Sequence, residues 1–373
     1  MLLEFDADQR LWQETVRDAV SKQCPASLIR DIAENGVDPA PLWTSYLEAG
    51  WTELTDPENA VELAIVLEEL GRATDPTPFL ATLSQFAPLV GDRFDPMSAG
   101  AAVFSGVSAI RDVDGWVLTG TDRFVLDGDR ADRLAVVTPA GVFVVGADQV
   151  TTRRVDIFDP VLHVAEVSFP GIHVADSERL SADTERAHHV ALMGMAITMV
   201  GACQRILDLV VEHAKSRQQF GVAIGTFQAV QHKATDMYVA IERARALAYF
   251  AALTIAADDP RRRLAAAMGL ECDARDKTAL SLGSLAKDCR FDRWTAGQAP
   301  ETAEDLVGIV RPKLILLGSE ITSRLAKKTN DGKLFNRLFS QDLPIDCLSE
   351  GAHQKVFDAL KSVTTYPDRH TQV

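Results

Sequence analysis

The sequence predicts an α+β fold in which a small β barrel or sandwich lies between two helical regions. Three observations carry that reading. Apolar residues recur every three to four positions up to about residue 95, every second position from about 100 to 175, and every three to four positions again after Ser181. β-Branched residues dominate the middle stretch. Turn signals at Asp114-Gly115, Asp127-Gly128 and Ala140-Gly141 cut it into short segments. The domains are therefore placed at 1–95 (helical), 96–178 (β) and 179–262 (first part of a C-terminal helical bundle), with 263–373 set apart as a divergent segment.

In the first domain Asp6 is placed to cap a helix, with Gln9 three residues on and Leu11, Trp12, Val16 and Ala19 along one face. Pro41 opens a second helix through Trp43, Tyr46 and Leu47, and Gly50 closes it. Glu62 to Leu70 makes a third, with Leu63, Val66, Leu67 and Leu70 inward and Gly71 as terminator. Pro76 and Pro78 punctuate the entry to a further apolar segment, Phe79 to Val90.

The strands of the second domain are expected at Ala101–Ser105, Trp116–Thr119, Arg123–Leu126, Leu134–Thr138, Val142–Val145, Thr152–Ile157 and Val164–Phe169. So many short strands in so little chain suit a small barrel or a sandwich. In the third domain Ile197, Val200, Ala202, Ile206, Leu207, Val210 and Ala214 follow one helix face. Val230, Ala234, Met237, Ile241, Ala244, Ala248, Ala251 and Ile255 follow another, ended by Asp258-Asp259-Pro260.

Between those two helices lies the most informative stretch of the chain, Ser216-Arg217-Gln218-Gln219-Phe220-Gly221-Val222-Ala223-Ile224-Gly225-Thr226-Phe227-Gln228. It sets a fixed cation, an aromatic ring and amides at the corner of a helical hairpin. A planar guanidinium there suits a pyrophosphate, because its fork of donors matches paired phosphate oxygens. Phe220 can lie against a ring, and Gln228 can read polar edges. The plain alternative is a helical hairpin with a solvated Arg217.

Composition narrows the partners. Of 373 residues, 47% are hydrophobic and 24% charged, as in a globular protein. A net charge of −15 argues against nucleic acid or an anionic membrane, while leaving room for a local basic patch. Five cysteines (Cys24, Cys203, Cys272, Cys289, Cys347), widely spaced and without a C-x-x-C, fit a reduced cytoplasmic setting; Cys203 reads as core. The N-terminus lacks the regions of a signal peptide, and no apolar run approaches a bilayer span. The tail differs from the rest. Residues 1–276 hold three lysines against 21 arginines, and residues 277–373 hold eight against six. A strand at Leu314-Ile315-Leu316-Leu317 and a helix around His353 to Val363 are expected there, and 264–373 is expected to pack less well than 180–260.

Arg217-x-x-Phe220-Gly221 followed by Phe227-Gln228 resembles the signature of the acyl-CoA dehydrogenase family. The resemblance extends from residue 1 to about 262. Leu63-Ala64-Ile65-Val66-Leu67-Glu68-Glu69-Leu70-Gly71, Pro78-Phe79-Leu80-Ala81 and Gly115-Trp116-Val117-Leu118-Thr119-Gly120 are similar to family landmarks in the same order. The resemblance implies FAD as cofactor and an acyl-CoA thioester as substrate. In that family the motif Arg, Phe and Gln bind the adenine–pyrophosphate end of a FAD held mainly by the neighbouring subunit, which here implies Arg217, Phe220 and Gln228. Phe124-Val125-Leu126 occupies the place of a Trp-Ile-Thr type sequence against the isoalloxazine. Phe124 keeps an aromatic surface, or else is core, and Leu126 loses the hydroxyl. The polar loop that precedes this strand in the family is missing, and Ser105 and Ser108 are poor substitutes.

The family reaction is α,β-dehydrogenation: a Glu removes an α-proton while the β-hydrogen passes as hydride to the flavin. No catalytic residue is assigned in this chain. The helix position of the family's base falls at Ala191 or Leu192, and Glu185 sits almost two turns too early. No Gly-Gly-x-Gly run accompanies Glu320 or Glu350. His188 and His189 point apart on their helix, which favours a surface or interface role over catalysis; His232 reads as a helix-surface residue. The pattern resembles the base-lacking subunit of actinobacterial heteromeric acyl-CoA dehydrogenases, some of which act on steroid side-chain CoA thioesters. That implies a homologous, base-bearing partner. A self-sufficient homo-oligomer with its base in the tail and a non-catalytic scaffold subunit remain the alternatives.

Overall fold

The computed structural model describes residues 5–157 and 159–267. They fall into two compact units: residues 5–201 with 247–267, and residues 202–246. The expected tail strand and helix, Cys272, Cys289, Cys347, Glu320 and Glu350 lie outside the described residues.

The larger unit opens with α1 (Ala7–Gln23), whose start is closed as expected: Asp6 Oδ1 accepts from the Gln9 amide at 2.8 Å, and the Asp6 amide donates to Gln9 Oε1 at 3.3 Å. Val16 and Val20 are buried, but Leu11 is 64% exposed and not on the inner face. A short helix that the periodicity did not single out, α2 (Ala26–Asn35), follows, then α3 (Ala40–Glu48), capped near Gly50 as expected. Next comes α4 (Ala60–Ala73), almost wholly buried from Ala60 to Gly71. Arg17 of α1 grips the buried Glu69 of α4 through Nε at 3.1 Å and Nη2 at 2.6 Å.

Gly71 does not terminate α4, which runs on to Ala73 and turns at Thr74 (φ +60°). Its role is close approach. A Cβ on Gly71 would meet the Thr198 carbonyl oxygen at 2.1 Å, and one on Gly201 would meet that of Glu68 at 2.0 Å. Both carbonyls belong to helix backbone, so α4 and α6 (Thr184–Ser216) cross with backbones touching. The segment from Phe79 to Val90 is helical, with a π-helical turn at Ala81–Phe86 running into α5 (Ala87–Val90). The Thr82 hydroxyl donates to the Gly100 carbonyl at 3.2 Å and accepts from its amide at 3.0 Å, fastening this turn to the first strand.

The β region is a sandwich, not a closed barrel. β1 (Gly100–Val103), β4 (Arg133–Thr138), β5 (Gly141–Gly146) and β8 (Arg179–Leu180) form one sheet in the order β1-β4-β5-β8. β2 (Val107–Asp112), β3 (Gly115–Leu126), β7 (Val164–Val174) and β6 (Thr151–Arg154) form the other in the order β2-β3-β7-β6. Only β1 and β4 pair in parallel. Val103, Leu118, Val125, Leu134, Phe143 and Phe169 meet between the sheets. The first sheet is covered on its other side as well, where Ala102, Ala135 and Val144 pack with Phe86, Leu89 and Ala187. Being buried on both faces explains the continuous apolar runs of β4 and β5; β7 alternates because its outer face is open.

Strand boundaries differ from expectation in several places; β6 ends at Arg154 rather than Ile157, and the two-residue β8 was not expected. β2 was not foreseen, because its residues are mostly exposed and Ile110 is 64% exposed. The two strands expected at Trp116–Thr119 and Arg123–Leu126 are one, β3, with irregularities at Leu118/Thr119 and Asp122/Val125. Gly120 between them is no break: a Cβ there would meet the Gly106 carbonyl oxygen at 2.1 Å. β7 continues past Phe169 through Pro170, which β3 flanks but β6 does not reach, so the missing amide costs no ladder bond on that open side.

α6 is long and apolar enough to cross a membrane, although no uninterrupted apolar run is; 61% of its most apolar window is buried within the protein, as in a core helix. The smaller unit holds the end of α6, a hairpin of β9 (Gln218–Gln219) and β10 (Val222–Ala223), and the first part of α7 (Gln228–Ala256). Met237, Ile241 and Ala244 of α7 are buried, as are Cys203, Ile206, Leu207 and Ala214 of α6.

Candidate cofactor-binding site

The corner between α6 and α7 is a tight β-hairpin, which the sequence reading did not anticipate. Gln219 pairs with Val222, leaving Phe220 (φ +54°) and Gly221 (φ +81°) as a two-residue loop. Left-handed backbone at both loop positions is the pattern of a type I′ turn, where Asn-Gly is the usual pair. A phenylalanine there is strained and needs a reason. Its ring is 93% exposed and meets Phe227 (38% exposed) edge-on, 6.3 Å between centroids. The Ile224 amide donates to the Arg217 carbonyl at 2.8 Å and Gln231 Nε2 to the Gly225 carbonyl at 2.9 Å, so the corner is braced by its own backbone.

Arg217 and Gln228 are both exposed on this corner. Among the described residues the Arg217 guanidinium has no acidic partner. Its charge is felt by His213, one turn earlier, whose ring is held below the ordinary imidazole range first by burial and then by that cation. The structure thus gathers Arg217, Phe220 and Gln228 on one exposed, rigid corner. Phe227 is the further aromatic that the motif contained and the sequence reading left without a role.

Phe124 belongs to the other unit and is not core: it is 77% exposed. The bulge in β3 sets both Arg123 and Phe124 opposite the single residue Glu166, which turns the ring outward. Asp122 Oδ1 accepts from the Phe124 amide at 3.2 Å, while its Oδ2 accepts from the Ser105 amide and hydroxyl at 3.2 and 3.0 Å. Leu126 is half-buried and offers no donor. The hairpin corner thus offers a cation, two aromatic rings and an amide, and β3 separately offers an exposed aromatic surface.

Where a helix-borne base is expected, Ala191 is buried and Leu192 half-buried. Glu185 is exposed near the helix start. The buried Glu68 accepts from the Tyr249 hydroxyl at 2.8 Å. His188 is exposed, 6.2 Å from Phe104, and His232 is exposed on α7. His189 is not a surface residue: it is 4% exposed, and its Nδ1 is buried without a hydrogen-bond partner. Burial holds its ring below the ordinary range, and Arg262 and His188 oppose protonation further, against the pull of Glu185 and Asp183. Among the described residues no group of three or more His, Cys, Asp or Glu is placed to hold a metal ion.

Residues 185–272 match the family model described as acyl-CoA dehydrogenase, C-terminal domain. The chain is 33% identical over 256 residues to acyl-CoA dehydrogenase IpdE2 of Mycolicibacterium smegmatis, an alignment spanning 65% of this chain and 76% of that one. Its fold is similar to that in the ChsE4–ChsE5 complex from Mycobacterium tuberculosis, with a TM-score of 0.73 and 19% identity, over 88% of this chain and 98% of that one. It is also similar to the Tcur3481–Tcur3483 steroid ACAD, with a TM-score of 0.68 and 21% identity, over 88% and 99% of the two chains. These similarities define a class, the oxidoreductases that act on acyl-CoA. The chain belongs to the acyl-CoA dehydrogenase family.

Proposed function

We propose that this protein is the base-lacking subunit of a heteromeric, FAD-dependent acyl-CoA dehydrogenase that desaturates an acyl-CoA thioester at Cα–Cβ. One observation carries the reading: the corner bearing Arg217, Phe220 and Gln228 is exposed and strained, while α6 offers only Ala191 and Leu192 where a base is needed. A chain built this way can hold another subunit's cofactor but cannot take the α-proton on that helix. The heteromeric ChsE4–ChsE5 complex and the Tcur3481–Tcur3483 steroid ACAD support a homologous partner and a steroid-derived acyl chain.

FAD, when bound, would supply the redox chemistry. In this chain the Arg217 fork neutralises and orients a diphosphate, and the Gln228 amide adds a directional contact. Phe220 and Phe227 present ring faces and exclude water from the phosphates. Phe124 presents a flat apolar surface on the β module. Ala191 and Leu192 leave an apolar wall, so the proton acceptor comes from the partner.

Co-purification from the native host, followed by an absorbance scan, tests the assignment. The complex should be yellow, and Arg217→Ala should strip FAD from it without changing its stability, because the side chain is exposed and has no described acidic partner. FAD occupancy unaffected by that substitution would remove the assignment. Flavin reduction by an acyl-CoA with this chain alone would favour the homo-oligomer instead.

A further inference from the structure

The end of α7 meets the start of α6 in a small cluster of charge. Asp183 Oδ1 accepts from the Arg186 amide at 2.9 Å, and Asp258 (φ +48°) turns the chain after α7. Arg186 Nη2 donates to the Ile255 carbonyl at 2.9 Å, and its Nη1 lies 3.5 Å from Asp258 Oδ1. Arg262 Nη1 donates to that same Asp258 oxygen at 2.8 Å, and its Nη2 lies 3.9 Å from Asp183 Oδ2. Two guanidiniums, one from α6 and one from beyond α7, thus share a carboxylate oxygen. His189, about one turn along α6 from Arg186, is 4% exposed. The Nε of Arg186, the Nε of Arg262 and the Nδ1 of His189 are each buried without a hydrogen-bond partner among the described residues. Nitrogens left unmatched in this way are costly, and their gathering in one cluster points to an occupant that accepts hydrogen bonds.

We infer that Arg186, His189 and Arg262 form a site for one small carboxylate anion, which enters together with a proton on His189. Charge sets those terms. Arg186 and Arg262 are already balanced by Asp183 and Asp258, so an anion alone would leave one negative charge uncompensated, and a proton on the ring removes it. The carboxylate then accepts from both Nε–H groups and from the imidazolium Nδ1–H, which satisfies all three nitrogens. Burial, and after it Arg262 and His188, hold the ring below its ordinary range, against the pull of Glu185 and Asp183. An anion beside the ring works in the opposite sense. Glu185 and His188 are exposed, so their charges are screened by solvent. Because all three nitrogens are buried, the occupant has few atoms. Water can also meet them, with the ring neutral, but then no proton is taken up. The site requires neither flavin nor thioester.

Calorimetric titration of sodium formate into the full chain tests the inference, at constant ionic strength and in two buffers of different ionisation enthalpy. Formate should bind with uptake of close to one proton, and its affinity should fall about tenfold for each pH unit between about 6 and 7. It should also raise the urea midpoint at the lower pH. Benzoate, of equal charge but larger, should not bind. His189→Gln should abolish both the proton uptake and the pH dependence. Arg262→Lys, which keeps the charge but loses the planar fork, should weaken binding about tenfold. If either variant fails to fold, the wild-type pH series and the benzoate comparison still decide. Absence of formate binding at the lower pH would overturn the inference, leaving water as sufficient. Binding without proton uptake would overturn it too, as would benzoate binding as tightly as formate.

Discussion

Replacing Phe220 by asparagine should stabilise the corner between α6 and α7 while impairing its use. At φ +54° a branched or bulky residue is unfavourable by roughly 1–2 kcal/mol, most of which asparagine relieves in a type I′ loop before glycine. Little is lost in exchange. The ring is 93% exposed, and its edge contact with Phe227, 6.3 Å away, contributes about 0.5 kcal/mol at so wet a site. The net expectation is a gain of about 1 kcal/mol, confined to the hairpin. Native-state hydrogen exchange reads it directly: the Ile224 amide, bonded to the Arg217 carbonyl at 2.8 Å, should exchange about fivefold more slowly. FAD occupancy of the purified complex should fall in the same variant. Faster exchange, or occupancy unchanged, would show that the strained ring is not retained for binding.

Other perturbations follow from packing and charge. Gly201→Ala should lower the urea midpoint by the equivalent of about 2–3 kcal/mol, since its methyl would strike the Glu68 carbonyl, whereas Gly36→Ala meets open space and should cost only its left-handed backbone. His189, with its folded pKa depressed by burial, contributes stability present above the unfolded value near 6.5 and lost as pH falls below it; His189→Gln should flatten the stability–pH curve in that window. Asp75 shows the opposite sign. Burial pushes its carboxyl up to about 7 although Thr77, Arg130 and Tyr46 favour the charged form, so stability should fall as pH rises from about 4 to 7, and Asp75→Asn should remove that slope.

Much of the helical scaffold was legible because each helix carries its own local signals. Asp6 and Gln9 announced a capping box, and the inward residues of α7 from Ala234 to Ile255 kept a strict helical spacing. What escaped depends on neighbours distant in sequence. Gly71 looks like a helix stop and is a contact with Thr198; Gly120 looks like a strand break and is a contact with Gly106. The bulge that exposes Phe124 has no signature in the strand itself, being defined by register against Glu166. At the corner, the motif marked Arg217, Phe220 and Gln228, but nothing in a phenylalanine foretells left-handed backbone.

The touching backbones of α4 and α6 carry a mechanical corollary. With no side chain between Gly71 and Thr198, or between Gly201 and Glu68, neither helix can slide or roll past the other without a collision. The stretch of α6 from Thr198 to Gly201 is therefore an anvil: it holds station, and movement elsewhere in the chain must take place around it.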